Sequence, residues 1–337
     1  MTTLYSDRPR LSSSIDRIAR NAQVISIATF FLACTVVFSV LSGVFLTPGN
    51  LLNILRQSAP LMLVAVAMTF VITSGGIDLS IGSLVAFVNA LVAIGIHAGF
   101  PWQFVVLFTI LIGIALGLVQ GWFIAFQNIP AFIVTLSGLS ILRGVALLLT
   151  QGFSVPIGDT PAFSVIGRGD FLGIPVPALI AVLAMLVGYV ALHHMKLGRH
   201  ITAIGVNVEA ARRAGIPTRL LQMSAYAMTG FAAAAAGIII ASRLSAGSSN
   251  AAVGFELDVI AAVVLGGTAL AGGNGTIIGT ILGALSISVI ANGLILVHIS
   301  PFFTQIVTGA IILAAIWLNS AVFSGMANQF RRTNVGQ

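Results

Sequence analysis

The sequence predicts an all-α fold, a polytopic transmembrane bundle of about ten helices, and three observations carry that prediction. Hydrophobic residues fill 58% of the 337 positions and charged residues only 7%, with a mean hydropathy of +1.09, a balance that no soluble core can bury. Apolar stretches of about 20 residues, long enough to cross roughly 30 Å of hydrocarbon, recur along nearly the whole chain. Most of the basic residues behind the formal charge of +7 gather in three clusters that flank these stretches. That is the pattern of membrane orientation, so membrane lipid and not nucleic acid is the expected counterion. The single cysteine, Cys34, has no partner for an internal disulfide.

Taken in order, residues 1–21 read as a cytoplasmic N-terminal segment with Arg8, Arg10, Arg17 and Arg20 ahead of the first apolar run, Val24 to Leu46. Leu32-Ala33-Cys34 faintly resembles a lipoprotein cleavage site, but the apolar run continues about a dozen residues beyond it, as a retained first helix does. A transmembrane domain is expected over 22–322, with spans near 24–46, 59–73, 80–99, 103–127, 132–150, 175–195, 223–242, 259–271, 276–297 and 302–320. The tail, 323–337, carries Arg331 and Arg332. Starting from a basic N-terminus inside, an even number of spans returns this tail to the inside. The interval 196–222 then also falls inside, and its core, Lys196 to Arg219, holds five of the fifteen Lys and Arg residues. Outside lie the Gly- and Pro-rich connection Gln151 to Ile174, with Asp159, Arg168 and Asp170, and the small, polar segment Arg243 to Asp258. Together they can form a docking rim for a soluble, substrate-carrying protein, or serve as simple solvated connections.

A weak internal repeat runs through the chain. Ser74-Gly75-Gly76 followed by Gly82 matches Ala271-Gly272-Gly273 followed by Gly279 at a constant offset of 197 residues. In the topology above both copies turn at the inner side, so the repeat is parallel. Within the first copy, Asp78 is a carboxylate at membrane depth, which must face protein, water or a donor. If a broken helix restarts near Ser80, Asp78 caps it; the alternative is a proton-relay carboxylate. The broken-helix and pathway candidates are therefore Ser74, Gly75, Gly76, Asp78, Ser80, Gly82 and, in the second copy, Gly272, Gly273 and Asn274. Arg56, just before the second span, and Arg143, in the fifth, can snorkel or pair with Asp78, Glu256 or Asp258. Asn89, Gln120, Asn292 and Gln305 can line a path for a hydroxyl-rich solute or bond one helix to another. His193 and His194, adjacent at a helix end, read as interfacial rather than as metal ligands.

No chemistry-bearing constellation is present: the chain has no Gly-Lys-Ser/Thr phosphate loop, no HExxH and no Ser, His and Asp set in a soluble domain. An enzyme is not expected, and if the protein does work against a gradient, the energy must come from another polypeptide or an ion gradient. Few intramembrane acids are available for ion coupling.

Glu209-Ala210-Ala211, three residues, then Gly215 resembles the EAA…G coupling motif in permease subunits of bacterial ABC importers. Glu-Ala-Ala favours a short exposed helix, Gly215 ends it and Pro217 blocks its continuation. SGGIDLSIGS (74–83), IPAFIVTLSGLSILRG (129–144), AIGVNVEAARRAGI (203–216) and ELDVIAAVVLGGTALAGGNGTIIGT (256–280) together resemble the ribose-type permeases, monosaccharide importers of the branched-chain amino-acid and carbohydrate permease group. The family's frequent Gly-Gly-Asn before the coupling helix is Gly205-Val206-Asn207 here. The resemblance implies a second permease subunit, alike or similar, a cytoplasmic ATPase with two nucleotide-binding domains, and a periplasmic sugar-binding protein, all at the bacterial inner membrane. It places no cofactor in this chain, ATP and Mg being bound by the ATPase. Glu209, Ala210, Ala211, Arg212, Arg213 and Gly215 become the coupling helix, its arginines able to meet acidic groups on the ATPase or the inner leaflet. The alternatives are an ABC permease for amino acids and an ion-coupled secondary transporter using Asp78.

Overall fold

The computed structural model describes residues 10–158, 160–300, 303, 306–310 and 313–314, with residues 10–23 as backbone alone. The first half of the chain forms α1 (Arg10–Leu41), α2 (Pro48–Thr73), α3 (Ile81–His97), α4 (Trp102–Ala125) and α5 (Ala131–Thr150). The connection after α5 holds β1 (Val155–Pro156), α6 (Pro161–Arg168), β2 (Asp170–Phe171) and β3 (Ile174–Pro175). There follow α7 (Val176–His193), α8 (Lys196–Val206), α9 (Val208–Arg213), α10 (Thr218–Leu244), β4 (Ala246–Gly247), α11 (Phe255–Leu265) and α12 (Ile277–Leu296).

Among the described residues seven helices are long and apolar enough to cross a membrane: α1 from Val24, α2, α4, α5, α7, α10 and α12. The chain is a polytopic helical membrane protein. Two of the expected spans are shorter than a crossing. α3 has 17 residues, and α11 has 11 because Gly266 and Gly267, the latter at φ +91°, end it at Leu265 and not at 271. The last expected span, 302–320, lies largely outside the described residues, as do Arg331 and Arg332. At the other extreme, α2 begins at Pro48, eleven residues before the expected start at 59. Arg56 and Gln57 interrupt the apolar run there, but the helix carries them because Arg56 leaves it to pair with Asp170.

α2 is the hub. Of its membrane window 83% is buried, against 11% for α1, and it packs on α7, α10, α11 and α12. A helix apolar on all sides belongs at the centre of a bundle, whereas one that exposes Leu32, Val36 and Val40 belongs against lipid. The most extensive helix pair is α4 with α10, and small residues make it possible. Gly113, Gly117 and Gly121 recur every fourth residue and so share one face. A Cβ on Gly113 would lie 2.6 Å from the Gly230 carbonyl oxygen, one on Gly117 would strike the Tyr226 carbonyl, and one on Gly121 would lie 2.8 Å from the Met223 Cα. The backbones approach as closely as small-xxx-small interfaces allow.

At one end the two segments expected outside join. β1 pairs antiparallel with β4, Val155 opposite Gly247 and Pro156 opposite Ala246. Arg168 Nε donates to the Arg243 carbonyl (3.0 Å) and the Gly167 amide to Ser242 Oγ (2.8 Å). The expected rim is thus one structure, not two loose loops; Asp159 lies outside the described residues.

Gly117→Leu is expected to drive α4 off α10 and lower the melting temperature of the detergent-purified protein, an overpacking cost of about 1–3 kcal/mol. Gly144→Ala, where a methyl group meets open space, should hold or raise it, since a helical Gly is about 0.5–1 kcal/mol worse than Ala. Equal melting temperatures for the two variants would contradict this packing.

Candidate functional site

α2 breaks where its last carbonyls have no continuing helix to bond. The amides of Ser74, Gly75 and Gly76 fold back to the carbonyls of Phe70, Ile72 and Val71, with Gly75 at φ +83°, a conformation costly for any residue with a Cβ. Gly76 faces Tyr226, whose hydroxyl oxygen would lie 2.5 Å from a Cβ there. Extended chain then leads to α3, and Asp78 fills the gap. Its Oδ1 accepts from the Ser80 amide (3.0 Å) and lies 2.7 Å from Ser80 Oγ, while Oδ2 accepts from Thr229 Oγ1 (2.7 Å). Ser80 Oγ also lies 3.0 Å from Gln120 Oε1. Asp78 is 2% exposed and held by hydroxyl and amide donors near a helix N-terminus.

These contacts settle the pairing left open by sequence. Among the described residues Asp78 meets no cation; Arg56 Nη2 bonds Asp170 Oδ1 at 2.8 Å, and Arg143 Nη1 donates to the carbonyls of Ser249 (2.5 Å) and Ala251 (2.9 Å). Neither arginine forms an ion pair with Asp78, Glu256 or Asp258. Long-range partners of this kind leave no trace in local sequence. A relay would need a titratable neighbour hydrogen-bonded to Asp78, and its partners are Ser80 and Thr229. Asn89 bonds α3 to neighbouring elements, its Oδ1 accepting from the Ser248 amide (2.7 Å) and its Nδ2 donating to the Gly237 carbonyl (3.3 Å). Asn292 exchanges two 3.0 Å hydrogen bonds with Asn50. Gly82 admits the Glu256 carboxylate against its backbone, where a Cβ would collide with it. His193 and His194 both lie against the Tyr189 ring. Gln305 lies outside the described residues.

The second copy of the repeat comes to the same place as the first. Gly272 and Gly273, at φ +85° and +77°, form a turn in which the Asn274 carbonyl accepts from the Ala269 amide (3.0 Å) and the Gly273 amide donates to the Thr73 carbonyl (2.9 Å). α12 then starts with Thr276 Oγ1 accepting from the Gly279 amide (3.2 Å). A third strand of chain, the end of α8, closes the cluster. A Cβ on Gly205 would collide with the Thr73 carbonyl and the Gly273 amide, and one on Gly272 would lie 3.0 Å from Gly75 Cα and 3.1 Å from Gly205 Cα. Three backbones meet where a single side chain would part them.

α9 hangs from this cluster. Asn207, in extended conformation, caps it by accepting from the Ala210 amide at 2.9 Å. Glu209 Oε1 lies 3.2 Å from Arg213 Nε and Oε2 3.6 Å from Arg212 Nη1, so both arginines pair with Glu209 within the helix. Such exposed pairs contribute only about 0.2–1 kcal/mol each and separate readily. Ala211 is buried while Glu209, Ala210, Arg212 and Arg213 are exposed. Gly215, at φ +82°, ends the helix, its amide bonding the Arg212 carbonyl and that of Ile216 the Ala211 carbonyl. Pro217 stands at the start of α10 as well as beyond the end of α9.

Sequence reasoning missed Thr73, Gly205, Thr229 and the capping role of Asn207. An Asn directly before Val-Glu-Ala-Ala is a helix-start signal; the other three act across long sequence separations.

Asp78→Ala strands the Ser80 amide, while Thr229 Oγ1 keeps the Tyr226 carbonyl at 2.9 Å, and is expected to cost about 1–3 kcal/mol for the donor left without a partner. Asp78→Asn keeps an acceptor and should cost less. Thermal unfolding of the two purified variants checks the order, and an equal loss would remove the cap assignment.

The profile of a family described as branched-chain amino acid transport system / permease component matches residues 50–316. The ribose import permease protein RbsC of Bacillus subtilis is 42% identical over 285 residues, covering 84% of this chain and 88% of that protein. RbsC of Escherichia coli is 40% identical over 287 residues, covering 84% and 89%. The xylose transport system permease protein XylH of Escherichia coli is 34% identical over 361 residues, covering 89% and 90%. No solved structure matches the chain. A profile that spans every element from α2 to α12, together with relatives aligned over most of both chains, shows that the protein belongs to the branched-chain amino acid transport system / permease component family.

Proposed function

We propose that the chain is the membrane-spanning permease subunit of an ATP-driven importer that carries a monosaccharide across the bacterial inner membrane. The whole-length similarity to permeases named for ribose and xylose supports a sugar over an amino acid. The partners expected are a second permease subunit, an ATPase that binds ATP and Mg on the cytoplasmic side, and a soluble sugar-binding protein outside.

The observation that carries the coupling role is the seat of Gly205. α9 presents Glu209 and both arginines to solvent at the same end of the bundle as the two repeat turns. α8 connects it, through Gly205, to Thr73 at the end of α2 and to Gly273 between α11 and α12. A push on α9 is therefore delivered to both broken-helix turns at once, and the turns are the points where the bundle can tilt without rupturing a continuous helix. The cleft lined by Phe126, Arg212, Ile216 and Arg219 beside α9 gives an ATPase a notch to grip. Outside, the β1–β4 rim is the surface for the binding protein.

The ion-coupled alternative finds no support in the Asp78 surroundings, where the carboxylate is held by Ser80 and Thr229.

In proteoliposomes containing the full importer, Glu209→Ala and Gly215→Leu are expected to lower sugar uptake and sugar-stimulated ATP hydrolysis by roughly tenfold, about 1.4 kcal/mol of coupling, with the permease still inserted. Gly205→Val should leave the isolated ATPase untouched and abolish the stimulation. Wild-type uptake and stimulation in all three would show that α9 is not the coupling helix, and uptake by the chain alone under an ion gradient would replace the importer reading.

A further inference from the structure

The β2–β3 hairpin ends in large apolar side chains that the described residues leave uncovered. Phe171 stands opposite Ile174, and the two-residue loop between them, Leu172-Gly173, has both residues at positive φ, +53° and +78°. That is the requirement of a type I′ turn, whose first position suits Asn, Asp or Gly. A leucine there crowds its own backbone, and yet Leu172 is 89% exposed and Phe171 62%. The hairpin is braced: Asp170, at its start, bonds Arg56 of α2 at 2.8 Å, and β3 packs on α2 and α7. A strained leucine held out on a braced turn calls for an apolar surround from outside the chain.

Sequence and depth identify that surround as lipid. The run from Phe171 to Leu192 carries no charged residue, so the apolar stretch of the α7 span begins inside the hairpin, ahead of the first helical residue, Val176. α7 has 18 residues, which at 1.5 Å per residue is about 27 Å, close to the roughly 30 Å of hydrocarbon. Its far end carries His193 and His194, with Lys196 beyond them, groups suited to the headgroup region. Val176 then lies at the opposite edge of the hydrocarbon, and the hairpin, joined to it through Pro175, lies at headgroup level on the rim side. The Arg56–Asp170 pair, with both side chains partly exposed, suits the same level. The polar part of the rim differs, since Ser154 and the Ser248-Ser249-Asn250 segment present what a surface facing water presents.

We propose that the β2–β3 hairpin is an anchor in the rim-side leaflet: Phe171 and Leu172 enter the boundary between headgroups and acyl chains, and the Arg56–Asp170 pair ties that anchor to α2, the hub of the bundle.

The test uses the full chain in phosphatidylcholine nanodiscs, which leave both faces open to solvent, in a Cys34→Ala background that removes the single native thiol. Leu172→Cys is labelled with a polarity-sensitive fluorophore and quenched in turn by aqueous iodide, by phosphatidylcholine bearing a nitroxide high on the acyl chain, and by one bearing it near the chain end. Relative to Ser154→Cys, the emission is expected to shift to the blue and iodide quenching to be lost, with the shallow nitroxide quenching more strongly than the deep one. Phe171→Cys gives the same readings if Leu172→Cys does not fold. Iodide quenching equal to that of Ser154→Cys at both hairpin positions overturns the anchor, because water then surrounds the tip and a soluble partner is left as its occupant. Protection from iodide without quenching by either nitroxide overturns it as well, because a second copy of the chain then covers the tip.

Discussion

The hydrogen bond from the Gly273 amide to the Thr73 carbonyl is the contact on which the arrangement depends. Hydrocarbon offers no water to a freed backbone group, so a helix broken at membrane depth must find its missing partners within the protein. Thr73 ends α2 and exposes a carbonyl; Gly273 follows α11 and exposes an amide. Each break supplies what the other lacks. The bond forms only if the backbones touch, and they touch because Gly205, Gly272 and Gly275 present no Cβ at the crossing. A methyl group on Gly275 would collide with Thr73 Oγ1 and one on Gly205 with the bonded pair itself. The cluster fixes α2, the buried hub, to α11 and α12 at one end, while the rim joins the outer segments at the other.

Charge is handled by the same economy. Asp78, the carboxylate at the first break, is met by the Ser80 amide and hydroxyl and by Thr229 Oγ1, so a helix terminus and two neutral hydroxyls do the work of a counterion. The exposed carboxylate of Asp170 meets Arg56, where each keeps part of its hydration and the pair holds the outer connection to α2. Arg143 spends one nitrogen on two carbonyls of the 249–251 turn.

How much of this was legible in sequence follows from the range of each interaction. Hydropathy is a property of consecutive residues, so spans such as 103–127 and 132–150 agree with α4 and α5 within a few residues. It fails at α2, where Arg56 and Gln57 break the apolar run but not the helix, and at α11, where the run outlasts the helix by six residues. The short helix α9 was readable because Glu-Ala-Ala and Gly215 act within one turn of their targets. The cap by Asp78 was readable for the same reason, since Ser80 is two residues away. Thr229 was not, nor was Asp170 as the partner of Arg56, because 151 and 114 residues separate these pairs. The repeat stands between the two cases: a constant offset of 197 residues exposes two like turns, but nothing local states that they touch.

That contact changes what a parallel repeat means for a transport subunit. Two like turns placed apart would each need their own link to a motor, and their movements would have to be matched. Placed together, they share one link. Asn207 joins α8 to α9 as a single extended residue that also caps α9 through Ala210, so little slack lies between the exposed helix and the end of α8. Gly205, two residues earlier, rests on both turns. Under the proposed function, a displacement of α9 reaches α2 on one side and the α11–α12 pair on the other by backbone contact alone. Those same three helices, with α10, wall a pocket beneath the rim. The turn cluster and this pocket lie toward opposite ends of the same helices, so on the proposed function a displacement at one end would be felt at the other.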